Sequence, residues 1–367
     1  MRKALCFGAG NIGRGFIAQV CQESDVHLTF VDVNEVVLNQ LNQNHQYTIH
    51  LLDEAQTSIQ IKNVNGVNSN DIATLSSLIL EVDFVFTAVG PNVLKHVGAT
   101  LAQLYKQHPN LQHHVIACEN MVGGSTTLKN HVLASLDSCP IGVNFLDAAV
   151  DRIVPLSQKA GTLDVKVEPS FEWIVQTTTP LHLNGVEEVT NLEPYIKRKL
   201  LMVNGAHAFT AYLGLLHGYT TIDEAIRDSS IEYAVRGLLQ EHQLFLNHTF
   251  QLEMNDLSKM QDKVIKRFKN ALLQDDCVRV GRTPLRKIGL QERLSMGIKT
   301  LLSLGHKPIF AYQAIAAATL YHYDEEGEIL TKMSDEQLHE TLSQLPLPPS
   351  CVDQIIKIRD HLKKKKR

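Results

Sequence analysis

The sequence predicts an α/β domain with a mostly parallel sheet, followed by a mainly α-helical domain. Up to about residue 180, short β-rich runs alternate with amphipathic helical patterns, an alternation typical of a parallel sheet covered by helices. From about Asn191 onward, the apolar residues keep a helical spacing almost throughout. The length of 367 residues is enough for two domains. We place them at residues 1–188 and 189–367.

Individual elements follow from the same periodicities. Seven runs read as strands, at residues 3–7, 28–31, 82–89, 115–117, 142–145, 163–167 and 171–175. Four long segments of the second half have helical spacing, at residues 192–217, 221–248, 257–273 and 307–320. Glycine and proline indicate breaks at residues 281–284 and 346–349.

Composition excludes several classes of protein. Hydrophobic residues make up 44% of the chain and charged residues 20%, which is ordinary for a folded globular protein. No apolar run approaches the roughly 18 residues that a membrane span needs, and the chain reaches glycine too early for a signal peptide. We therefore expect no membrane association.

Charge and cysteine content narrow the class further. A net charge of −4 does not indicate nucleic-acid binding, and we read the basic run at residues 363–367 as a solvated tail rather than a binding patch. The six cysteines show no metal-ligand spacing, so we expect no metal site. Free thiols fit a reducing cytoplasm.

The first predicted strand leads directly into a glycine-rich turn that opens a helix. Gly8 permits the tight turn, Gly10 lets the backbone approach a pyrophosphate, and Gly13 allows close packing of helix on strand. The N–H groups at the start of that helix favour the phosphate charge. The sequence therefore predicts a Rossmann-type dinucleotide site formed by Phe7, Gly8, Ala9, Gly10, Asn11, Ile12 and Gly13.

The residue that ends the second strand favours one cofactor over another. Asp32, followed by Val33, lies about 20 residues beyond the glycines, where a carboxylate accepts hydrogen bonds from ribose hydroxyls and repels a 2′-phosphate. We therefore predict NAD rather than NADP. Asp32 as a helix cap is the alternative interpretation, and Arg14 is a guanidinium close enough to tolerate a phosphate.

Two further strand ends belong to the same edge of a parallel sheet. Ala88 and Val89 begin the loop after one strand, and we expect this loop at the cofactor. Asn120 follows the next strand, after Cys118, which we read as a packed thiol rather than a nucleophile.

One helix of the second half carries a lysine, an amide and an imidazole. At 100° per residue, Asn204 lies about 140° and His207 about 80° around the helix from Lys199, so the three share one arc. A partly desolvated lysine can remove a hydroxyl proton, an amide can steady the developing alkoxide, and Asn120 can supply a second donor. In the alternative interpretation, which we weight equally, the lysine is solvated, the asparagine caps a helix, and the histidine has its hydrogen bonds satisfied within the protein.

A basic cluster is the candidate for binding a substrate phosphate. Glycine and proline interrupt it, so we expect a loop, in which arginines can hold a phosphate in bidentate fashion. Pairing with Asp275, Asp276 or Glu292 is the alternative. The cluster consists of Arg279, Arg282, Arg286 and Lys287, and Arg152 is a second candidate that can equally form an interdomain ion pair.

Taken together, these motifs resemble the polyol-specific long-chain dehydrogenases over nearly the whole chain. The resemblance includes the Lys199-x4-Asn204-x2-His207 signature and the stretches at residues 7–16, 30–34, 87–90, 117–120, 149–155, 279–282 and 284–287. It implies Lys199 as general acid/base, Asn120 and Asn204 as oxyanion stabilisers and His207 as a substrate-positioning residue. It further implies no metal and favours a monomer over a homodimer.

The function that this resemblance implies is an NAD-dependent, reversible interconversion of D-mannitol 1-phosphate and D-fructose 6-phosphate. A dehydrogenase of a free polyol or a hexuronate is the nearest alternative, and a phosphogluconate-type enzyme matches the motifs poorly. A catalytically silent NAD-binding sensor is an alternative from another class of protein, and Lys199 argues against it because a sensor needs no proton donor. Nucleic-acid binding is a further alternative, and it would depend on the basic tail.

Overall fold

The computed structural model describes residues 1–155, 161–345 and 347–365. The chain divides into two units, Met1–Glu193 and Pro194–Arg367. The first contains all of the strands found in the described residues, and the second is helical.

Twelve strands and five α-helices build the first unit. The strands are β1 (Arg2–Phe7), β2 (Val26–Asp32), β3 (Gln46–Leu51), β4 (Ser58–Lys62), β5 (Asn65–Asn68), β6 (Phe84–Thr87), β7 (Gln112–Ala117), β8 (Gly142–Phe145), β9 (Ala148–Asp151), β10 (Val165–Val167), β11 (Glu172–Gln176) and β12 (Val186–Val189). The α-helices are α1 (Ala18–Glu23), α2 (Glu35–Asn44), α3 (Ile72–Leu78), α4 (Leu94–Gln107) and α5 (Gly124–Leu133).

Six of these strands form one parallel sheet in the order β5-β2-β1-β6-β7-β8. Alternate residues of β1 enter different cores, with Ala4 and Cys6 on one face and Leu5 and Phe7 on the other. A strand buried on both faces must be apolar at successive positions, which is why this run is so readily predicted. Strands β10-β3-β4 and β12-β11-β9 form two smaller sheets.

The strand order is that of the doubly wound dinucleotide-binding fold, in which the chain reverses direction between its first and fourth sheet strands. Here those strands are β1 and β6. In such sheets, ligands bind outside the carboxyl ends of the strands at this point of reversal. The residues after Phe7 and after Thr87 therefore lie where the fold places a ligand.

The predicted strands are confirmed, with two corrections to length. The run predicted at residues 163–167 is a strand only over Val165–Val167. The run predicted at residues 82–89 is a strand only over Phe84–Thr87, because the backbone beyond Thr87 turns to donate hydrogen bonds to a buried carboxylate. Of the strands that the prediction missed, β3 shows clear alternation at Tyr47 and Ile49. Strand β5 has the sequence NGVN, whose asparagines and glycine are depleted in strands.

The second unit is built from twelve α-helices in the described residues. They are α6 (Glu193–Arg198), α7 (Ala206–Leu216), α8 (Ile222–Arg227), α9 (Ser229–Phe250), α10 (Met254–Phe268), α11 (Cys277–Gly281), α12 (Pro284–Ile288), α13 (Ile298–Ser303), α14 (Ile309–Ala318), α15 (Glu325–Lys332), α16 (Asp335–Ser343) and α17 (Pro349–Lys365). Two of them, α7 and α14, are apolar on almost every side, so they are buried among the others.

All four predicted helical segments of this unit are confirmed, although two are interrupted. Asp228 is extended and accepts N–H groups of the next turn, so it ends α8 and begins α9. A 3₁₀ turn, Ala271–Leu273, follows α10 separately. The segment predicted at 192–217 is continuous, but its middle, Lys199–Gly205, is a π-helix between α6 and α7.

The predicted breaks have different outcomes. The one at residues 281–284 is confirmed, because α11 ends at Gly281 and Pro284 begins α12. The one at 346–349 falls partly on Pro346, outside the described residues. The basic run at 363–367 is not simply a tail, since α17 continues to Lys365, and its last two residues lie outside the described part.

Candidate active site

The glycine turn after β1 has the geometry that its sequence predicts. Gly8 has a φ of +105°, and a Cβ on it would lie 2.4 Å from the Ala88 carbonyl oxygen. A Cβ on Gly13 would lie 2.1 Å from the Gly8 oxygen, whereas a Cβ on Gly10 would meet no atom within 4 Å. Two glycines are therefore required by packing, and the third leaves an open approach to the backbone.

The remaining residues of this turn contribute differently. Phe7 and Ala9 bury their side chains in the cores on opposite faces of the sheet, so only their backbone can meet a ligand. Asn11 and Ile12 are half-buried and begin the helix. That helix continues as a π-helical segment, Gly13–Ile17, and π-helical turns are frequent at functional sites.

Asp32 ends β2 beside this turn and stabilises it. One carboxylate oxygen accepts the N–H of Ala9 at 2.7 Å, and the other accepts the N–H groups of Val33 at 2.8 Å and Asn34 at 3.0 Å. The alternative interpretation of Asp32 as a helix cap is wrong, because the cap of α2 is Asn34, whose side chain accepts the N–H of Val36.

Arg14 is directed into the first unit and not toward the ligand edge. Its side chain is buried, and it donates to the carbonyls of Ala9 at 2.8 Å and of Leu163. It also contacts the side-chain oxygen of Asn11 at 3.3 Å. Burial lowers the pKa of Arg14. The guanidinium therefore supports the turn from inside, and nothing in its contacts favours a 2′-phosphate.

A buried carboxylate shapes the second loop of this edge. Glu119 is 5% exposed and accepts the Thr87 hydroxyl at 3.0 Å, the Val89 N–H at 2.9 Å and the Gly90 N–H at 2.8 Å. These bonds hold the backbone from Ala88 to Gly90 away from β6. The sequence carries a signal for Glu119, a charged residue directly after an apolar strand, but its role depends on contacts with the loop after β6.

The other residues after β7 agree with their predicted character. Cys118 is buried, and burial raises the pKa of its thiol well above the ordinary value, as expected of a packed thiol. Asn120 is exposed at the carboxyl end of the strand.

In the second unit, the predicted catalytic helix exposes only part of one face. From Leu201 to Gly214, every residue is buried except Asn204 and His207, which are half-buried, as is Lys199 just before them. The π-helical form of Lys199–Gly205 corrects the angles calculated for a regular α-helix. Hydrogen bonds from i to i+5 bring residues five apart onto successive turns, so Lys199 and Asn204 lie more nearly above one another than about 140° apart.

His207 is held by two neighbours. Its Nε2 atom lies 2.7 Å from Oδ2 of Asp275, and its ring stacks on Phe268 with centroids 4.9 Å apart. Burial alone would raise the pKa of Asp275, but contacts with His207 and Arg279 lower it to about 2. The sequence named Asp275 only as a partner for the arginines, because nothing in the spacing links it to His207.

The basic cluster lies on two short helices rather than in one loop. Asp276 caps α11, which carries Arg279, and Pro284 begins α12, which carries Arg286. Arg279 pairs with Asp275, as the alternative interpretation held. Arg282 and Arg286 are exposed, and each contacts a neighbouring oxygen of the same stretch, at 3.2 Å and 3.4 Å.

The two remaining phosphate candidates are corrected by their surroundings. Lys287 is 5% exposed and donates to the carbonyls of Val280 and Arg282, and burial lowers its pKa to about 7. Arg152 is also buried, and it donates to the carbonyls of Gly15 and Glu168 within the first unit. Both cations therefore bind the protein's own backbone, and the described hydrogen-bond partners of Arg152 belong to the first unit.

A second histidine lies behind the π-helical segment. His242 of α9 is 2% exposed, and burial lowers its pKa to about 3, so the ring is neutral. A Cβ on Gly205 would lie 3.1 Å from its Cε1 atom. His242 was not predicted as part of the site, because its contacts with Leu201 and Gly205 join parts of the chain that are distant in sequence.

Neither a metal centre nor a membrane span is found among the described residues. No group of three or more histidine, cysteine, aspartate or glutamate side chains could hold a metal ion there. No helix in the described part of the chain is long and apolar enough to cross a membrane.

The fold and the site geometry define a class of protein, a dinucleotide-binding α/β unit joined to a helical unit with a lysine-centred polar face. Comparison with family models gives the particular family. The mannitol dehydrogenase Rossmann domain matches residues 2–184, and the mannitol dehydrogenase C-terminal domain matches residues 191–364. The chain belongs to the mannitol dehydrogenase family, an enzyme family.

Individual relatives agree with this assignment. The chain is 40% identical to a mannitol-1-phosphate 5-dehydrogenase of Brevibacillus brevis, covering 89% of this chain and 87% of the relative. It is 39% identical to a mannitol-1-phosphate 5-dehydrogenase of Enterococcus faecalis, with 92% of each covered.

Solved structures share the fold at lower identity. A Pseudomonas fluorescens mannitol 2-dehydrogenase, in a ternary complex with NAD and D-mannitol, has a TM-score of 0.72 at 18% identity, covering 100% of this chain and 93% of its own. A substrate-free D-sorbitol dehydrogenase has a TM-score of 0.82 at 16% identity, covering 99% and 93%.

Proposed function

We propose that this enzyme catalyses the NAD-dependent, reversible oxidation of D-mannitol 1-phosphate to D-fructose 6-phosphate. The observation that carries the proposal is that Asn204 and His207 are the two half-buried residues in the otherwise buried stretch 201–214, with half-buried Lys199 just before it. Polar groups are rarely placed on such a helix without a partner or a function. The names of relatives about 40% identical over nine tenths of the chain supply the substrate.

The residues at the carboxyl edge of the sheet fit NAD as the cofactor. The open side of Gly10 leaves room for a pyrophosphate against the backbone. The Asp32 carboxylate lies at the end of β2, where the fold places an adenosine ribose, and its charge disfavours a 2′-phosphate. Phe7, Ala9, Asn11, Ile12, Gly13, Val33, Ala88, Val89 and Asn120 complete the proposed set. When bound, NAD supplies hydride transfer at the substrate carbon.

The proposed chemistry of the chain's own residues centres on one proton. Lys199 accepts the proton of the substrate hydroxyl in oxidation and returns a proton to the carbonyl oxygen in reduction. The amide groups of Asn204 and Asn120 donate to that oxygen and stabilise its developing negative charge. His207 positions a neighbouring hydroxyl of the substrate.

For the phosphate we propose Arg279, Arg282 and Arg286. The guanidinium groups of Arg282 and Arg286 are exposed, and that of Arg279 is 45% exposed beyond its contact with Asp275. Guanidinium groups match phosphate oxygens in bidentate geometry. Lys287 and Arg152 are left out because their donors are bound to backbone carbonyls.

The test follows NADH oxidation with fructose 6-phosphate and with unphosphorylated fructose in parallel, and repeats the first reaction with NADPH. We expect turnover with NADH on the phosphorylated sugar alone. Turnover on free fructose alone would retain the cofactor and Lys199 but discard the phosphate. Activity on neither sugar, with NADH still bound, would contradict the proposal and direct the assay to hexuronates.

We also propose that the enzyme is a monomer of the cytoplasm and that its domain boundary lies at about residue 188. The family resemblance supports the monomer. The described cysteines are all free thiols, which supports a reducing compartment. Residue 188 falls between the ends of the two matching family models, which supports the boundary.

A further inference from the structure

Asp275 is fixed in place by its backbone before its side chain is considered. Its carbonyl accepts the N–H of Ile222 at 2.9 Å, and the N–H of Cys277 donates to the carbonyl of Thr220 at 2.9 Å. Asp276 forms a β-bridge with Thr221 between these two bonds. Asp275 is therefore held against the start of α8, independently of any contact that its carboxylate makes.

The carboxylate of Asp275 joins a residue of the proposed catalytic helix to a residue of the basic cluster. Its side chain is 7% exposed, with Oδ2 at 2.7 Å from His207 Nε2 and Oδ1 bound by Arg279. The contact with His207 is short, but the direction from Nε2 to Oδ2 is bent away from that of a straight hydrogen bond. Because both oxygens are engaged, rotation of the carboxylate would break one contact to improve the other.

The imidazole of His207 is restrained on its face as well as at its edge. Phe268, which is 3% exposed, stacks on the ring with an interplanar angle of 21°. A ring held by one stacked face and one nitrogen cannot flip to exchange its nitrogens without losing the Asp275 contact. A neutral imidazole has one donor and one acceptor nitrogen, and an ionised carboxylate is an acceptor only. The nitrogen that faces Asp275 is therefore the one that carries the proton.

We propose that Asp275 is a positioning residue that fixes neutral His207 in the tautomer protonated on Nε2, and so leaves Nδ1 to accept a hydrogen bond from a substrate hydroxyl. This inference rests on the proposed function for the assignment of His207 to the substrate. It predicts the hydrogen-bonding character of the substrate group that His207 recognises. The group recognised at this position must be a donor, so a hydroxyl satisfies it and a carbonyl or ether oxygen does not.

The low pKa of Asp275, about 2, supports this role. The carboxylate stays ionised throughout the pH range in which a dehydrogenase is assayed. It therefore never becomes a donor that could hold the other tautomer. Arg279 contributes by occupying the second oxygen, so that a phosphate ligand of the proposed site and the tautomer of His207 depend on the same buried group.

The first test reads the tautomer directly. Protein labelled with ¹⁵N-histidine would be examined by long-range ¹H–¹⁵N NMR at a pH where the rings are neutral, with His207 identified by the loss of its signals in His207→Gln. We expect a protonated Nε2 and an unprotonated Nδ1. The reverse pattern, or a mixture of the two, would overturn the proposal, and this measurement requires neither turnover nor a folded Asp275 variant.

The second test separates positioning from simple structural support. In Asp275→Asn the shape is kept but the amide can donate as well as accept, so we expect mixed tautomers and a loss of about 10- to 100-fold in kcat/KM for fructose 6-phosphate. The Kd for NADH should change less than about twofold. Asp275→Glu, which keeps the charge, should recover part of the activity.

The matched control is Asp276→Asn. Asp276 is adjacent and exposed, and its side chain caps α11 by accepting the Arg279 N–H. It should keep the Nε2 tautomer and nearly full activity, and equal losses in the two variants would contradict the role of Asp275. If the wild type fails to reduce fructose 6-phosphate, the proposed function fails, while the NMR pattern still decides the role of Asp275.

Discussion

At the scale of single residues, burial and neighbouring charges shift the pKa values of two side chains near the site. The pKa of Asp275 falls to about 2 despite its burial, because its contacts with His207 and Arg279 lower it. The pKa of Lys287 falls to about 7, because burial and neighbouring arginines outweigh its one nearby carboxylate. The first stays charged to organise its neighbours. The second serves as a donor to backbone carbonyls. Residue type alone therefore does not assign a role within the basic cluster.

Lys199→Ala tests the residue on which the mechanism depends. We expect turnover to fall by at least about 10²- to 10⁴-fold, because the proton of the hydroxyl loses its acceptor. NADH binding, followed by fluorescence titration, should be unchanged. Lys197→Ala is the matched control, since residues two apart do not share a helix face. Retained turnover in Lys199→Ala, or equal losses in both variants, would contradict the assigned role.

At the scale of elements, a glutamate side chain links two helices of the second unit by hydrogen bonds. Glu241 of α9 accepts the N–H groups of Phe310 at 2.9 Å and Ala311 at 2.8 Å, at the start of α14. Burial raises the pKa of Glu241 from 4.5 to about 7, although these two bonds act in the opposite direction. The junction between the two helices should therefore be sensitive to pH.

The folded chain binds a proton at Glu241 that the unfolded chain releases at lower pH. Between about pH 4.5 and 7, this group's contribution to the unfolding free energy is lost as the pH rises. Glu241→Gln should remove that part of the slope, which urea unfolding at a series of pH values would measure. Glu253→Gln changes an exposed glutamate in the same unit and serves as control. Equal slopes in the wild type and Glu241→Gln would refute the assignment.

Elements also show where sequence patterns stop being informative. Strand β1 is apolar at successive positions and was predicted almost to its ends. The π-helical form of Lys199–Gly205 was not predicted, since its apolar residues also fit a regular helix. What distinguishes the two forms is packing against residues distant in sequence, such as His242 behind Gly205.

At the scale of the whole molecule, two domains and the order of their folds were predictable, because alternation and helical periodicity persist over long stretches. The glycine turn and the place of Asp32 at the end of β2 were also predictable, since each follows from local spacing. The shared role of Lys199, Asn204 and His207 stays a prediction. The roles of Glu119 and Asp275 were not predictable. Each depends on contacts across the fold, to Val89 in one case and to His207 in the other.

The proposed monomer has a direct test in its mass. Light scattering after size-exclusion chromatography should give 41.0 kDa at micromolar concentration, with and without NADH. A mass of twice that value would contradict the monomer and leave the reaction unaffected. The truncated chain ending at residue 362 provides a check that the basic C-terminal run does not drive association.

The π-helical turn between α6 and α7 affects which deletions this chain can accept. This turn contains more residues than a turn of the α-helices on either side. The direction of each later side chain around the helix axis therefore depends on how many residues the turn contains. Removal of one residue between Lys199 and Asn204 would let the helix rewind regularly. The amide would then follow Lys199 by four residues of a regular helix, about 40° around the axis, so the amide and the imidazole would stay near the face that the wider turn gives them. A single deletion in this segment can thus be tolerated, whereas a second deletion, which would turn every later side chain by about 100°, cannot.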